Sequence, residues 1–410
     1  MPRQVIYDAG GVLSTIDGIL QDDYVVQQIQ NTVNMATYLL SKLRSEKTTA
    51  GRQFIVSVQF GVGEGQGSSG ENEQLPDEGA GEFDQAFGNV RYQYGALYIT
   101  GQAIEATDGK ASYVSALKQA LKDCRDGFKL NTQRMVHSDG TGTLGTITVG
   151  ANSVTQTVTN PYGLTYITAD LDASQRTRPY RRNMQVYFVT TTEMRRIVGV
   201  DPVAGTIELD TAVSTTTGER IVRGDATGRT SDGKEVRGLS EMIKTTGTYF
   251  GIPRAGTPEW QGNRIQVGSG SGGPVTEEAM QIAFDTNEIY GTGAPTLALT
   301  DHKTRRRYVS LLQAQKRFVS PMKLEGGFDA IEFNGKPLVV DKDSPPQRIR
   351  FIRMEDIVWM VMKQIGWINR DGTVLKWVDQ KDAYRAYLAA YRDLFNYKPA
   401  NGTELYDITS

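Results

Sequence analysis

The chain has 410 residues, 39% of them hydrophobic, with 44 glycines and a formal net charge of −2. That length holds two or three cores. The near-zero charge excludes a basic nucleic-acid binder, and the lone Cys124 excludes an intrachain disulfide framework. No apolar run approaches a membrane span, and the opening MPRQVIYDAGGVL lacks a secretory layout, so no membrane partner is expected.

Residues 1–50 read as an arm plus one helix, with Val25, Ile29, Val33, Ala36 and Leu40 at helical spacing. Two strand-like runs follow. In RQFIVSVQFG, Phe54, Val56, Val58 and Phe60 alternate with Gln53, Ile55, Ser57 and Gln59. In FGNVRYQYGALYIT, Val90, Tyr92, Tyr94, Ala96 and Tyr98 share a face. Pairing these two runs predicts a long hairpin. A two-stranded hairpin is marginal alone in water and its edges are open to other chains, so it needs a surface to lie on, most economically another subunit.

The connector between the runs carries Glu64, Glu71, Glu73, Asp77, Glu78, Glu82 and Asp84, and no Lys or Arg occurs between Gln53 and Val90. It presents a strongly negative tip. Gly65-x-Gly67-x-x-Gly70 within it matches a dinucleotide-binding pattern. The match is rejected, because that motif must open a helix, and here Pro76 and clustered carboxylates follow.

Residues 111–137 form the clearest helix. Val114, Leu117, Leu121, Cys124, Phe128 and Met135 fall on one stripe, and Lys118, Lys122, Arg125 and Lys129 take the other faces. Cys124 on the apolar stripe reads as a small buried hydrophobe. From about Asp139 to Glu235 the chain turns Thr-, Val- and Gly-rich, with short runs such as GTITVG and QVYFVTT, consistent with a small barrel or sandwich. RTRPYRR within it carries Arg176, Arg178, Arg181 and Arg182, read either as a contact patch for an acidic partner or as a solvated loop.

From about Leu239 an α/β pattern begins. VTEEAMQIAFDTNEIYG predicts a helix, TLALT a strand, and Asp301 an N-cap for HKTRRRYVSLLQAQKRF. KPLVVD and RIRFIR are strands split by Pro345-Pro346. The tail DAYRAYLAAYRDLFNY fits helix through Tyr384, Tyr387, Leu388 and Tyr391. It fits strand equally through the odd parity of Tyr387, Tyr391, Phe395 and Tyr397.

Catalytic motifs are missing: His137 and His302 are the only histidines, and there is no G-x-S-x-G, H-E-x-x-H, zinc spacing, P-loop or EF-hand. The expectation is a non-enzymatic protein with no cofactor and no metal.

The order of pieces resembles the major capsid protein of tailed double-stranded-DNA bacteriophages. The stretches GLSEMIKTTGTYFGIPRAGTPEWQG, TLALTDHKTRRRYVSLLQ and FNGKPLVVDKDSPPQRIRFI carry the resemblance most specifically. It implies an α+β fold of the HK-ninety-seven type, with an N-terminal arm and helix (1–50), an extended β-hairpin loop (51–101) and a spine helix of the peripheral domain (102–142). An inserted all-β module (143–235), an axial α/β domain (236–355) and a C-terminal return to the peripheral domain (356–410) follow, the last favouring strand within 357–397. The implied function is a head protein self-assembling into hexamers and pentamers of an icosahedral or prolate shell around the genome. The alternative is an all-β adhesin or tail-associated binding module.

Implied partners are further copies of the chain, a separate scaffolding protein, a portal protein, a decoration or minor capsid protein, and non-specifically packaged DNA. The implied place is the virion, with assembly in the host cytoplasm. A separate scaffold is expected because the patterned helix begins by about residue 25, leaving no room for a fused one. The expected intersubunit contacts are Phe54, Val56, Val58, Phe60, Tyr92, Tyr94 and Tyr98. The acidic Glu71, Glu73, Asp77 and Glu78 are expected to face Lys118, Lys122, Arg125 and Lys129 or the Arg176–Arg182 cluster.

Overall fold

The structure is a computed structural model that describes residues 23–47, 53–102, 110–225, 228–268, 270–291, 293–314, 321–323, 329–370 and 372–410. The expected arm before residue 23 lies outside them. The chain divides into two compact units: one takes residues up to Lys42, Arg91–Gln133 and Val361–Arg392, and the other takes Leu43–Val90, Arg134–Met360 and Asp393–Ser410.

In the first unit, the expected N-terminal helix is broken into Asp23–Asn34 and Tyr38–Lys42. The strand Arg91–Thr100 pairs antiparallel with Ala383–Asn396, with Tyr92 opposite Tyr391, Ala96 opposite Tyr387 and Tyr98 opposite Arg385. The tail is therefore strand. Parity won over helical spacing because Ala386, Leu388 and Ala390 have a core to fill: they pack with Ile29, Val33, Leu97, Phe128, Ile365 and Trp367. The long helix, Lys110–His137, is 28 residues and roughly 42 Å long. Its stripe reaches this core through Phe128, with Leu121 and Cys124 alongside. Burial pushes the Cys124 thiol up to about 11, so it stays a neutral, unreactive thiol.

In the second unit, the arm hairpin differs from expectation. Gln53–Gly61 pairs with Glu82–Asn89, which takes only Phe87–Asn89 of the expected second run; the rest of that run, from Arg91, pairs with the tail strand instead. Phe54 lies opposite Gly88, Ile55 opposite Phe87, and Val56 opposite Ala86. EFDQAFGN hides its strand nature because its inward positions are small. A Cβ on Gly88 would sit 2.3 Å from the Phe250 ring, so only glycine fits. The ribbon continues past the strands as two glycine tracts in close approach: a Cβ on Gly63 would lie 2.3 Å from the Gly79 carbonyl oxygen.

Six strands then close a barrel in the order Arg220–Arg223, Thr143–Ile147, Asn152–Thr159, Thr206–Ser214, Glu193–Asp201, Gln185–Phe188. Closure removes the edges that short antiparallel strands otherwise expose. Leu144, Val158, Val186, Phe188, Ile197, Ile207 and Ile221 fill it.

The largest open sheet of this unit, seven strands among the described residues, runs Asn263–Gln266, Gly402–Tyr406, Arg348–Ile352, Leu297–Thr300, Lys336–Val340, Asp329–Phe333, Pro321–Lys323. Helix Glu277–Tyr290 covers part of it, starting at Thr276, whose hydroxyl accepts from the Ala279 N–H at 3.1 Å. Asp301 accepts from the N–H groups of Lys303 and Thr304 at the start of His302–Ala314, as an N-cap should. Buried Glu404 on the strand Gly402–Tyr406 meets Arg348 at 3.0 Å, Arg350 at 3.2 Å and Arg264 at 3.2 Å. Burial alone would push the Glu404 carboxyl up; the arginines outweigh it and hold the group down at about 2.

Candidate intersubunit surfaces

The arm hairpin has two faces with different fates. The face expected to bind a neighbour is covered from within its own unit. Phe54 is 2% exposed, its ring 5.1 Å from Phe250 and 5.8 Å from Phe395. Phe60 meets Trp260 edge-on at 5.7 Å, Val58 is buried, and Val56 is half-buried. Tyr249, Phe250, Trp260 and Phe395 form one aromatic cluster, with the Arg237 guanidinium 4.3 Å from the Phe250 ring centre. The expectation that Phe54, Val58 and Phe60 supply adhesion to another subunit is therefore corrected. Alternation shows that a face is apolar, not which part of the chain covers it.

The opposite face is open. Ile55 is 63% exposed, Phe83 66% and Phe87 49%. Ile55 and Phe87 are direct cross-strand partners, and Phe83 lies opposite Gln59 on the same face. The sequence pattern gives none of these side chains a contact: it sets Ile55 with the polar positions, leaves Phe83 in the connector, and only opens the second run at Phe87. The available signal was the four-residue spacing of Phe83 and Phe87, which a strand puts on one side.

Tyr92, Tyr94 and Tyr98 are exposed on the sheet of the first unit. Their strand neighbours extend the patch. Tyr391 lies 5.1 Å from Tyr92 and 5.9 Å from Tyr94, and Arg385 lies over both Tyr98 and Tyr387. Partial burial and the hydrogen bond with Tyr391 push the Tyr94 hydroxyl up to about 12. This face is aromatic with polar tips, the composition enriched at protein interfaces.

The expected charged contacts separate in the same way. Glu71, Glu73, Asp77 and Glu78 are exposed at the tip, where Glu73 accepts from the Gly70 N–H at 2.7 Å. Lys122 is exposed, whereas Arg125 already pairs with Asp126 at 3.2 Å and Lys129 is half-buried. The Lys118 side chain lies outside the described residues. In the insertion, Arg176 donates to the Leu171 carbonyl and Arg178 to that of Ser344, and Arg181 is half-buried; of the four, Arg182 alone is exposed. The RTRPYRR cluster thus mostly serves its own unit, because it lies where the barrel meets the Asp341–Ser344 turn.

No protein-family model matches the sequence, and no curated protein matches it. Solved structures do. The cyanophage A-1(L) capsid asymmetric unit aligns with TM-score 0.57 at 13% identity, over 91% of this chain and 92% of that one. The capsid of a native GTA particle (0.46, 11% identity, 90% of each chain) and Mycobacterium phage Bobi (0.45, 7%, 91% of each) align as widely, but their scores carry no argument. At 13% identity the cyanophage likeness is one of fold: this chain has the HK-ninety-seven-type capsid fold.

Proposed function

We propose that this chain is the major capsid protein of a tailed double-stranded-DNA bacteriophage, a structural rather than enzymatic protein. Identical copies would build the hexamers and pentamers of its shell. The observation that carries the reading is the end-to-end fold likeness to a phage capsid subunit, 91% of one chain on 92% of the other. The open hairpin face Ile55–Phe83–Phe87 and the tyrosine face Tyr92–Tyr94–Tyr98 add support, since a subunit acting alone has no use for exposed aromatics on an extended arm. Nothing in the fold comparison favours an adhesin. The scaffolding, portal, decoration and DNA partners, the virion location and assembly in the host cytoplasm follow from this reading.

In purified particles the chain should be the dominant protein band; a band present at only a few copies per particle would overturn the proposal. That band should run near 45.2 kDa after boiling in detergent. The arm offers no lysine from Gln53 to Val90 for an isopeptide link, so a ladder of covalent multimers would contradict this account of the arm.

The acidic tip adds register rather than strength. Exposed ion pairs are worth about 0.2–1 kcal/mol each and are screened by salt. Changing Glu71, Glu73, Asp77 and Glu78 together to Gln should weaken assembly at low salt and leave it nearly unchanged at ~0.5 M salt, read by light scattering. Equal loss at both salt levels would show that the tip is not held by charge.

A further inference from the structure

The root of the arm hairpin is gripped by a turn built on a residue that resists it. Thr248–Tyr249 and Ile252–Pro253 pair with Tyr249 opposite Ile252, which leaves Phe250 and Gly251 as a two-residue loop. Both have positive φ, 48° and 87°, as a mirror-image hairpin turn demands. Gly251 suits that region. Phe250 does not: Asn, Asp or Gly normally fills the first loop position, and a bulky residue there is a backbone outlier. Such strain costs on the order of 1–3 kcal/mol and persists only where the surroundings hold it.

The arm supplies part of what holds it. Phe250 is buried, its ring centred 5.1 Å from that of Phe54 on the arm, 4.6 Å from Tyr249 and 5.0 Å from Phe395, with the Arg237 guanidinium over it. Arg237 is fixed in turn by Asp393, which accepts from its backbone N–H at 2.9 Å and pairs with its Nε at 3.3 Å.

Turn and arm interlock. The Phe87 N–H on the arm donates to the Phe250 carbonyl at 2.9 Å. The Phe250 ring lies over Gly88 of the arm, and the Phe87 ring of the arm lies over Gly251 of the turn; a methyl on either glycine would run into the ring facing it. Phe54 is opposite Gly88 in the hairpin register, so one ring from the turn touches both arm strands. Apolar burial by itself is non-directional. A reciprocal pair of ring-over-glycine contacts joined by a main-chain hydrogen bond is directional, and a two-stranded ribbon, marginal alone, takes its direction from its root.

We propose that Phe250 and Gly251 form a clamp that fixes the direction in which the arm leaves its unit. Phe250 is then the positioning residue through which the open face of Ile55, Phe83 and Phe87 is presented to a second copy of the chain. The clamp stands on the contacts above; the positioning role rests in addition on the capsid reading.

The test is hydrogen exchange on the full unassembled chain, with Gly88→Ala as the variant. Gly88 has no left-handed φ, so alanine meets no backbone objection and the methyl against the Phe250 ring is the whole change. The strands Gln53–Gly61 and Glu82–Asn89, the Phe87 amide included, should exchange at least tenfold faster than in wild type, while the barrel and helix Glu277–Tyr290 keep wild-type protection. Gly61→Ala, the same change farther along the arm, meets only Glu82, at 3.3 Å, and should leave the Phe87 amide at its wild-type rate. Unchanged arm exchange in Gly88→Ala, or equal loosening of the whole unit, overturns the clamp. Should that variant fail to fold, wild type decides alone: protection along Glu82–Asn89 should be highest at Ala86, Phe87 and Gly88 and fall toward Glu82, and a flat profile overturns the clamp. Shell formation is scored separately by light scattering. Gly88→Ala should cut the yield at least tenfold where wild type assembles. A wild-type yield from the variant overturns the positioning role alone; a wild type that builds no shells overturns the capsid reading and the positioning role with it, and leaves the clamp to be judged by exchange.

Discussion

Serine at Ile55, Phe83 and Phe87 together should abolish assembly and leave the chain folded. These residues form the open face of the arm hairpin; all three are exposed and none belongs to the core clusters among the described residues, although the inner edge of the Phe87 ring rests against Gly251. Burying each against a neighbour contributes about 1.5–3 kcal/mol, repeated at every subunit of a closed shell. The other face gives the control. Phe54→Ala should cost about 3–5 kcal/mol of subunit stability, because Phe54 packs inside its own unit against Phe250 and Phe395. Sedimentation reads assembly and circular dichroism reads folding. Normal particles from the triple-serine variant would show that this face is not an interface.

Glu404→Gln should lower the stability of the second unit by about 3–5 kcal/mol, the range expected when one partner of a buried ion pair is removed. Glutamine keeps the shape but leaves Arg348 and Arg350 without their counter-charge. Arg350 retains only the Ser240 hydroxyl at 2.7 Å and the His137 carbonyl at 3.3 Å. Arg348 retains the Thr165 carbonyl at 2.6 Å. The same pair makes stability depend on acid. The Glu404 carboxyl titrates at about 2 when folded and at about 4.3 when unfolded. A depressed folded value means stabilisation that is fully present above the unfolded value and is lost as pH falls toward the folded one. Wild type should therefore lose on the order of 3 kcal/mol between about pH 4.5 and 2. Thermal midpoints measured over that window should fall more steeply for wild type than for Glu404→Gln. Parallel curves would show that the carboxylate is not charged in this network.

Legibility followed the reach of local patterns. The long helix was readable from Leu121, Cys124 and Phe128, because one stripe meets one core. The N-cap at Asp301 was readable because capping is local. The tail stayed ambiguous in sequence because tyrosines at Tyr387 and Tyr391 satisfy both periods, and only the pairing with Arg91–Thr100 resolves them. Most of the second hairpin strand, from Glu82 to Ala86, is invisible in sequence for a tertiary reason. Gly88 has no side chain because the Phe250 ring fills its space, and no local pattern reports a ring so distant in sequence. The same gap misassigned Phe54: its apolar face was evident, but its cover by Phe250 and Phe395 was not. The charges of RTRPYRR were plain, yet their engagement with the carbonyls of Leu171 and Ser344 depends on how the barrel meets the rest of its unit.

A major capsid protein closes a shell. Electron micrographs of the expressed full chain, alone and together with the proteins of its particle, should show closed particles built from six-fold and five-fold rings. A uniform population of monomers or small oligomers under both conditions, with no rings and no shells, would contradict the proposed function.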